Sequence, residues 1–206
     1  MTLDKIEFVY IDVDYLKYLH SVDSQVQFNK NDPNYKVKPH VGILINENGM
    51  KYVIPLTSAK EAHRGLPDVG DGFFKIYELI DITKSRIDEA DIITEIRNQE
   101  ILELIDKEKQ ADYKQRLLSL LDVRKMIPVK SGVYQAVTFR MSGDVSREDQ
   151  KRMKLMLKEH EFINRIKNDI LAKANRLYNK QIRKRKVQPY HCNYKKLEEA
   201  CKEYKC

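Results

Sequence analysis

The sequence predicts an α+β fold, in which a compact, strongly bent antiparallel β-barrel carries added helices and a helical C-terminal region. Three observations predict it. Five or six short apolar runs are separated by turn residues, an Asn-Gly pair joins two of them, and long helical patterns follow. Sequential short strands of this kind close most easily into a small barrel. The 206 residues suffice for one buried core, so we expect a single domain over residues 1–206.

The N-terminal part of the chain predicts a strand followed by a short helix. Ile6 to Ile11 is typical of a half-buried strand, with aromatic residues among alternating partners. Asp12 or Asp14 is then placed to cap a helix that includes Tyr15. The polar stretch 21–39, rich in asparagine, predicts a loop.

A β-hairpin is the firmest local prediction. The apolar runs Val41 to Ile45 and Lys51 to Leu56 are separated by a turn that contains Asn-Gly at 48–49, and both of those residue types tolerate positive φ. Antiparallel pairing sets the start of the first strand, near Lys38, beside the end of the second, near Thr57. The hairpin therefore predicts that polar groups from its two ends converge.

The remaining elements follow from apolar periodicity. Phe73 to Ile80 predicts a strand, and residues 123–129 and 133–139 predict two more. Between them, isoleucines and leucines near a period of 3.6 predict a helical insertion over about 83–121. The barrel core then spans about 5–82 and 122–140, and a basic helical region spans about 146–206. A break near Asn164 or Asn168 is expected in that region, because uncapped helices this long are uncommon.

Charge distribution favours a polyanionic partner. From Arg147 onward there are 18 Lys and Arg against 8 Asp and Glu, a net charge of +10 on a chain whose total is +7. Nucleic acid is the commonest such partner. No apolar run is long enough to cross a membrane, and the start lacks a signal-peptide pattern. Three cysteines crowded at the C-terminus fit a reducing cytoplasm better than a disulfide framework.

The candidate catalytic residues lie at the two ends of the hairpin: Lys38, Thr57, Ser58, Lys60 and His63. RNA supplies its own nucleophile, the ribose 2′-OH, so cleavage requires neither a metal nor a cofactor from the protein. The protein must provide a base, stabilisation of the charged phosphorane and an acid for the leaving oxygen. Lysines and hydroxyls after a strand end fit charge stabilisation, and a histidine fits proton transfer near neutral pH.

Cationic residues elsewhere are candidates for RNA binding. Lys36 and Arg64 flank the hairpin site. In the C-terminal region, basic residues at helical spacing are followed by aromatic ones, a combination that grips flexible RNA. The basic residues of this stripe are Lys173, Arg176, Lys180, Arg183, Lys184 and Arg185.

Other functions fit parts of the same pattern. The chain could be a non-catalytic RNA-binding module in which Lys38 and Ser58 only contact phosphate, or a barrel toxin that acts on a protein target. Ser58 with Lys60 or Lys38 could also form a Ser–Lys hydrolase dyad, although no G-x-S-x-G motif is present. Metal binding is weakly indicated, because His191 and the cysteines lack the spacing of zinc sites.

Several blocks of the sequence resemble the ToxN/AbiQ/CptN family of endoribonuclease toxins from type III toxin–antitoxin systems. The specific block is Pro-Leu-Thr-Ser-Ala-Lys at 55–60, followed by His63. Supporting blocks are Tyr-Leu-Lys-Tyr-Leu at 15–19, Lys-Pro at 38–39 and Met-Ile-Pro-Val at 126–129. The blocks occur in the family's order. Ala59 stands where proline is common in the family, and the 83–121 insertion is longer than the family pattern.

The resemblance implies a MazF/Kid-like barrel and metal-independent cleavage that leaves a 2′,3′-cyclic phosphate and a 5′-OH. It implies that Lys38, Thr57, Ser58 and Lys60 line the scissile phosphate, and that Tyr15, Tyr35 and the basic C-terminal helix hold RNA. The implied partners are a small RNA pseudoknot antitoxin, which the toxin excises from a repeat transcript and binds in a closed ring, and cellular or phage RNA. A role in phage defence follows from the same resemblance.

Overall fold

The computed structural model describes residues 1–28, 40–45, 49–138 and 146–205. Eight strands occur in these ranges: β1 (Thr2–Ile11), β2 (His40–Ile45), β3 (Lys51–Ser58), β4 (Phe73–Asp81), β5 (Ile92–Thr94), β6 (Tyr113–Asp122), β7 (Ile127–Val129) and β8 (Tyr134–Ala136). Five α-helices accompany them: α1 (Val13–Val22), α2 (Gln99–Glu103), α3 (Arg147–Arg165), α4 (Lys167–Lys184) and α5 (Tyr194–Glu203). Within the described ranges, no helix is long and apolar enough to span a membrane.

The eight strands form one antiparallel sheet in the order β4-β6-β3-β2-β1-β8, with β5 joined to β6 and β7 joined to β3 off this path. The α+β class is confirmed. The predicted closure into a barrel is not found, because no ladder in the described part of the chain joins β8 to β4 or β5. Strand β6, which pairs with three neighbours, holds the end of β3 in place.

The hairpin, the first helix and the C-terminal helices are confirmed. Strands β2 and β3 pair antiparallel, and Gly49 in the turn has φ 74°. The Asp12 side chain accepts a hydrogen bond from the backbone N–H of Tyr15 and so caps α1. The C-terminal region breaks at Ile166, between α3 and α4, close to the predicted asparagines.

The predicted helical insertion over 83–121 is wrong. Residues 113–122 form β6, the middle strand of its part of the sheet, and only the five-residue α2 is α-helical between β4 and β6. A continuous apolar run such as 117–121 fits a buried strand or a buried helix equally well by periodicity. Hydrogen-bonded pairing with β3, β4 and β5 makes residues 113–122 a strand. The prediction that the sheet core stops at residue 82 and resumes at 122 is therefore also wrong.

The C-terminal helices are fastened to the sheet by a buried polar contact. One carboxylate oxygen of Glu198, on α5, accepts hydrogen bonds from the Tyr52 hydroxyl of β3 and from the Tyr178 hydroxyl of α4, each at 2.8 Å. Tyr52 is fully buried, and burial together with the nearby carboxylate raises its pKa well above the ordinary value. Strand β3, which ends at the candidate site, is therefore held by hydrogen bonds to its neighbouring strands and by the contact of Tyr52 with helix α5.

Candidate active site

Two hydroxyl-bearing residues end β3. Thr57 and Ser58 lie directly opposite Leu120 and Ser119 of β6. The Thr57 side chain is half-buried, and its hydroxyl donates to Gln27 Oε1 at 3.3 Å. Ser58 is exposed and makes no hydrogen bond through its side chain to a described residue. A rigid strand thus presents an uncommitted hydroxyl to solvent, and the residue before it carries a second hydroxyl.

The turn after β3 holds Lys60 and His63 together. The backbone N–H of Lys60 donates to His63 Nδ1 at 3.2 Å, and the backbone N–H of His63 donates to the Lys60 carbonyl at 2.8 Å. A ring nitrogen that accepts a hydrogen bond carries no proton, so the neutral imidazole bears its proton on Nε2. Burial, and then the charges of Lys60 and Lys75, lower the pKa of His63. His63 is therefore a neutral N–H donor at pH 7.

A buried lysine supports this turn from beneath. The Lys75 side chain is 1% exposed, and its Nζ donates to the Arg64 carbonyl at 3.1 Å and lies 3.7 Å from Asp68 Oδ1. The same Asp68 oxygen accepts a hydrogen bond from the Tyr77 hydroxyl at 2.5 Å. Burial lowers the pKa of Lys75, Asp68 opposes that shift, and Arg97 adds to it. Sequence reasoning missed this cluster, although a lysine inside an otherwise apolar strand was a usable signal.

Neutralising Asp68 should loosen the turn. Asp68→Asn leaves the buried ammonium of Lys75 with a carbonyl partner only, and breaking a buried ion pair costs about 3–5 kcal/mol. Because Asp68 is 30% exposed, we expect about 2 kcal/mol, or a fall in Tm of roughly 4–8 °C for a chain of this size. Asp106→Asn, which removes an exposed ion pair with Lys109, is the matched control and should leave Tm unchanged in the same melting experiment. Equal Tm values for the two variants would contradict the supporting role.

The Arg64 guanidinium is already hydrogen-bonded within and beside the turn. Its Nε and Nη2 donate to the two carboxylate oxygens of Glu61 at 2.5 and 3.2 Å, and Nη1 donates to the Ile93 carbonyl of β5 at 2.7 Å. The contact with β5 places residues from the 83–112 segment beside the candidate site. RNA binding by Arg64 stays a prediction, but its guanidinium already has three hydrogen bonds in this structure.

Of the other site residues predicted near the hairpin, the structure describes only Tyr15. Tyr15 is fully buried, its hydroxyl donates to the Pro128 carbonyl at 2.8 Å, and its ring packs edge-on against Tyr204. The prediction that Tyr15 holds RNA is therefore wrong, because it lies on the inward face of α1. The predicted site residues Tyr35, Lys36 and Lys38 lie outside the described residues.

The basic stripe of α4 divides into two groups. Lys173 donates to the Gly70 carbonyl and stands 4.5 Å from the centre of the Phe74 ring, while Arg176 donates to the Asp71 carbonyl at 3.0 Å. These two side chains connect α4 to the loop before β4. The remaining residues are exposed: Lys180, Arg183 and Lys184 with Arg176 and Asn179 line an open groove of about 460 Å³, and Arg185 ends α4 with φ 49°.

Neither metal ligation nor disulfide formation is indicated in the described ranges. No group of three or more His, Cys, Asp or Glu side chains there is arranged to hold a metal ion. Cys192 and Cys201 are not joined in a disulfide, and burial raises the pKa of Cys192 far above its ordinary value. Both cysteines pack in the core.

Comparison with known proteins places these observations in context. A family model described as "Toxin ToxN, type III toxin-antitoxin system" matches residues 7–202. Endoribonuclease ToxN of Bacillus thuringiensis subsp. kurstaki is 25% identical over 209 residues, which cover 98% of this chain and 86% of that protein.

Solved structures share the fold. One, from work on selective toxin inhibition by a non-coding RNA pseudoknot in bacterial type III toxin–antitoxin systems, has a TM-score of 0.65 at 23% identity and covers 98% of both chains. Another is AbiQ, a lactococcal anti-phage endoribonuclease belonging to the type III toxin–antitoxin system, with a TM-score of 0.65 at 17% identity over 96% of both chains. At these identities the two structures establish the architecture of the chain.

Proposed function

The chain belongs to the ToxN toxin family of type III toxin–antitoxin systems, and from this premise we propose that it is a metal-independent endoribonuclease. The observation that carries the proposal is the end of β3, where the Thr57 and the exposed Ser58 hydroxyls are followed directly by the Lys60–His63 turn. A relative from Bacillus thuringiensis that matches nearly the whole chain is named as an endoribonuclease.

For this reaction the protein must mainly hold the RNA in position and stabilise the negative charge of the phosphorane. The 2′-OH passes its proton to water, its oxygen bonds to phosphorus, the bond from phosphorus to the 5′ oxygen breaks, and that oxygen takes a proton from water. The products are a 2′,3′-cyclic phosphate and a 5′-OH. The Lys60 ammonium and the Thr57 hydroxyl stabilise the charge that develops on the phosphorane oxygens, and the Ser58 hydroxyl oxygen accepts a hydrogen bond from the attacking 2′-OH. Lys38, from the sequence resemblance, would add a second ammonium.

His63 takes a narrower role than the sequence suggested. Its Nδ1 already accepts the Lys60 N–H, so only Nε2 is available to RNA, and in the neutral ring that nitrogen is a donor. A neutral imidazole N–H is a poor acid but a good hydrogen-bond donor. We therefore assign His63 to donating a hydrogen bond to a phosphate oxygen rather than to removing the 2′-OH proton.

The partner we propose is a small RNA antitoxin that folds as a pseudoknot, is excised from a repeat transcript and closes a ring with the toxin. The solved relative inhibited by a non-coding RNA pseudoknot and the exposed basic groove of α4 support an RNA partner. Cellular or phage RNA would be the substrate, and AbiQ, an anti-phage endoribonuclease, supports a role in phage defence. The buried thiol of Cys192 fits action in the cytoplasm.

A cleavage assay in a chelator tests the activity. Purified protein is mixed with a long RNA in excess EDTA, and the fragment ends are mapped. We expect defined fragments with 2′,3′-cyclic phosphate and 5′-OH ends. Bound but intact RNA would instead support a non-catalytic RNA-binding module. Growth arrest on expression with cellular RNA left intact would support a toxin that acts on a protein target.

The exposed α4 cations should bind RNA through phosphate. Changing Lys180, Arg183 and Lys184 to alanine should weaken antitoxin binding at every RNA sequence and lower the slope of log K against log salt by about 2 to 3. The matched control changes Lys151, Lys154 and Lys167, three exposed lysines of α3 and α4, so the loss of charge is equal. Titration of the RNA at several salt concentrations measures both slopes, and equal slopes for the two triple variants would overturn the assignment.

A further inference from the structure

Two polar side chains are buried next to the end of β3 without an evident structural reason. The Ser119 side chain of β6 is buried, and its hydroxyl has no hydrogen-bond partner among the described residues. Glu159 of α3 is 3% exposed, and the Ser119 hydroxyl lies near its carboxyl. Buried polar groups are nearly always paired, so a buried hydroxyl without a partner of ordinary geometry beside a buried carboxyl calls for an explanation.

The pairing of the strands puts Ser119 beside Ser58. In the antiparallel ladder Ser58 lies directly opposite Ser119, which in turn lies opposite Ile76 of β4. Side chains in directly opposed positions share one face, and their Cβ atoms are about 4.5–5.5 Å apart. Helix α3 packs against β4 and β6, and its Glu159 comes close enough to Ser119 for the hydroxyl to influence the carboxyl. Ser58, Ser119 and Glu159 therefore run from solvent into the core.

The surroundings leave Glu159 without a counter-ion. On β4, Lys75 is engaged with the Arg64 carbonyl and with Asp68, and Glu78 is engaged with Arg116 of β6 and with Lys158. Strand β1 also packs against α3, and its half-buried Glu7 has the same sign of charge as Glu159. On α3 itself, His160 packs near Phe8. Burial raises the pKa of the Glu159 carboxyl to about 7, and the Ser119 hydroxyl opposes this shift. Glu159 thus changes charge in the range in which a cytoplasmic enzyme works.

We propose that Ser119 and Glu159 are positioning residues that orient the Ser58 hydroxyl toward the RNA, with Ser119 bridging the two. Once Glu159 is ionised, Ser119 donates to its carboxylate and accepts the Ser58 hydroxyl proton in a hydrogen bond. The lone pairs of Ser58 then point outward and accept a hydrogen bond from the 2′-OH. No proton is transferred between Glu159, Ser119 and Ser58 in this arrangement. The inference rests on the proposed nuclease function.

The test is the pH dependence of single-turnover RNA cleavage. In the wild type the rate should rise with pH through about 7, as Glu159 ionises. Glu159→Gln keeps the shape but removes the titration, and Ser119→Ala removes the bridge. Both variants should lose this rising limb and cleave roughly 10–100-fold more slowly above pH 7, a range typical of slight misplacement of a reacting group. Glu161→Gln, on the exposed side of α3, is the control and should behave as wild type.

The outcomes separate the two proposals. Melting curves first establish that each variant is folded. Suppose that Ser58→Ala abolishes cleavage while Glu159→Gln and Ser119→Ala keep the wild-type rate and its rise with pH. The positioning role is then wrong and the nuclease site stands. If Ser58→Ala cleaves normally, the site proposed at the end of β3 fails together with the inference. If Glu159→Gln and Ser119→Ala cleave more slowly by the same factor at every pH, and the rate still rises through pH 7, the two residues have a purely structural role and the proposal is overturned.

Discussion

Ser58→Ala should reduce RNA cleavage by about 10²–10³-fold, the usual consequence of losing one preorganised hydrogen-bonding group at the reacting centre. The Ser58 side chain is exposed and has no hydrogen-bond partner in the described part of the chain, so its removal leaves the fold intact and Tm unchanged. Binding of the antitoxin RNA should also persist, because the α4 cations are untouched. Single-turnover cleavage, a melting curve and an RNA titration on the same preparation measure all three.

Ser21→Ala is the matched control for this substitution. Ser21 is an exposed serine on α1 whose hydroxyl donates to the Tyr18 carbonyl, away from the end of β3. Its variant should cleave RNA at the wild-type rate. Wild-type cleavage by Ser58→Ala would show that the group contacting the attacking 2′-OH lies elsewhere.

Glu159→Gln should make the protein more stable at pH 8, although it is expected to slow catalysis. Burial lifts the pKa of Glu159 from its ordinary 4.5 to about 7. The native state therefore holds the proton more tightly than the unfolded state. The stability associated with this group is fully present below pH 4.5 and is lost as the pH rises through about 7.

The size of the effect follows from the shift in pKa. At about 1.4 kcal/mol per pKa unit, the wild type gives up about 3 kcal/mol by pH 8 and about 1 kcal/mol by pH 5. The Gln variant carries no such loss, so we expect its Tm to exceed the wild-type value by roughly 6–12 °C at pH 8 and 2–4 °C at pH 5. Glu161→Gln should show no such dependence on pH. A Tm gain that is the same at both pH values would mean that the pKa of Glu159 is the same in the native and the unfolded state.

Local patterns predicted the elements that depend on local chemistry. The Asn-Gly turn, the Asp12 cap and the helical phase of the C-terminal region all depend on neighbours in sequence, and each is found. The 83–121 segment shows where such reasoning stops. Its apolar residues satisfied a helical period, but β6 is held by hydrogen bonds to strands distant in sequence, which no window of residues reveals.

The candidate site divides in the same way. Thr57, Ser58, Lys60 and His63 were predictable because a strand end followed by polar residues is visible in sequence. The buried charges beneath them were not. Lys75 and Glu159 interrupt apolar patterns, which flags them as unusual but does not say what they face. Tyr15 shows the converse error, since an aromatic residue suited to stacking on RNA serves equally well in a core.

The most direct test of the central claim uses RNA altered at a single atom. A short substrate is prepared with a 2′-deoxy sugar at the nucleotide on the 5′ side of the cleaved bond, and its cleavage in EDTA is compared with that of the all-ribose strand. If the end of β3 promotes attack by the 2′-OH, the all-ribose strand is cut to a 2′,3′-cyclic phosphate and the deoxy strand stays whole. Equal cleavage of both strands would show that the nucleophile comes from elsewhere and would contradict the mechanism.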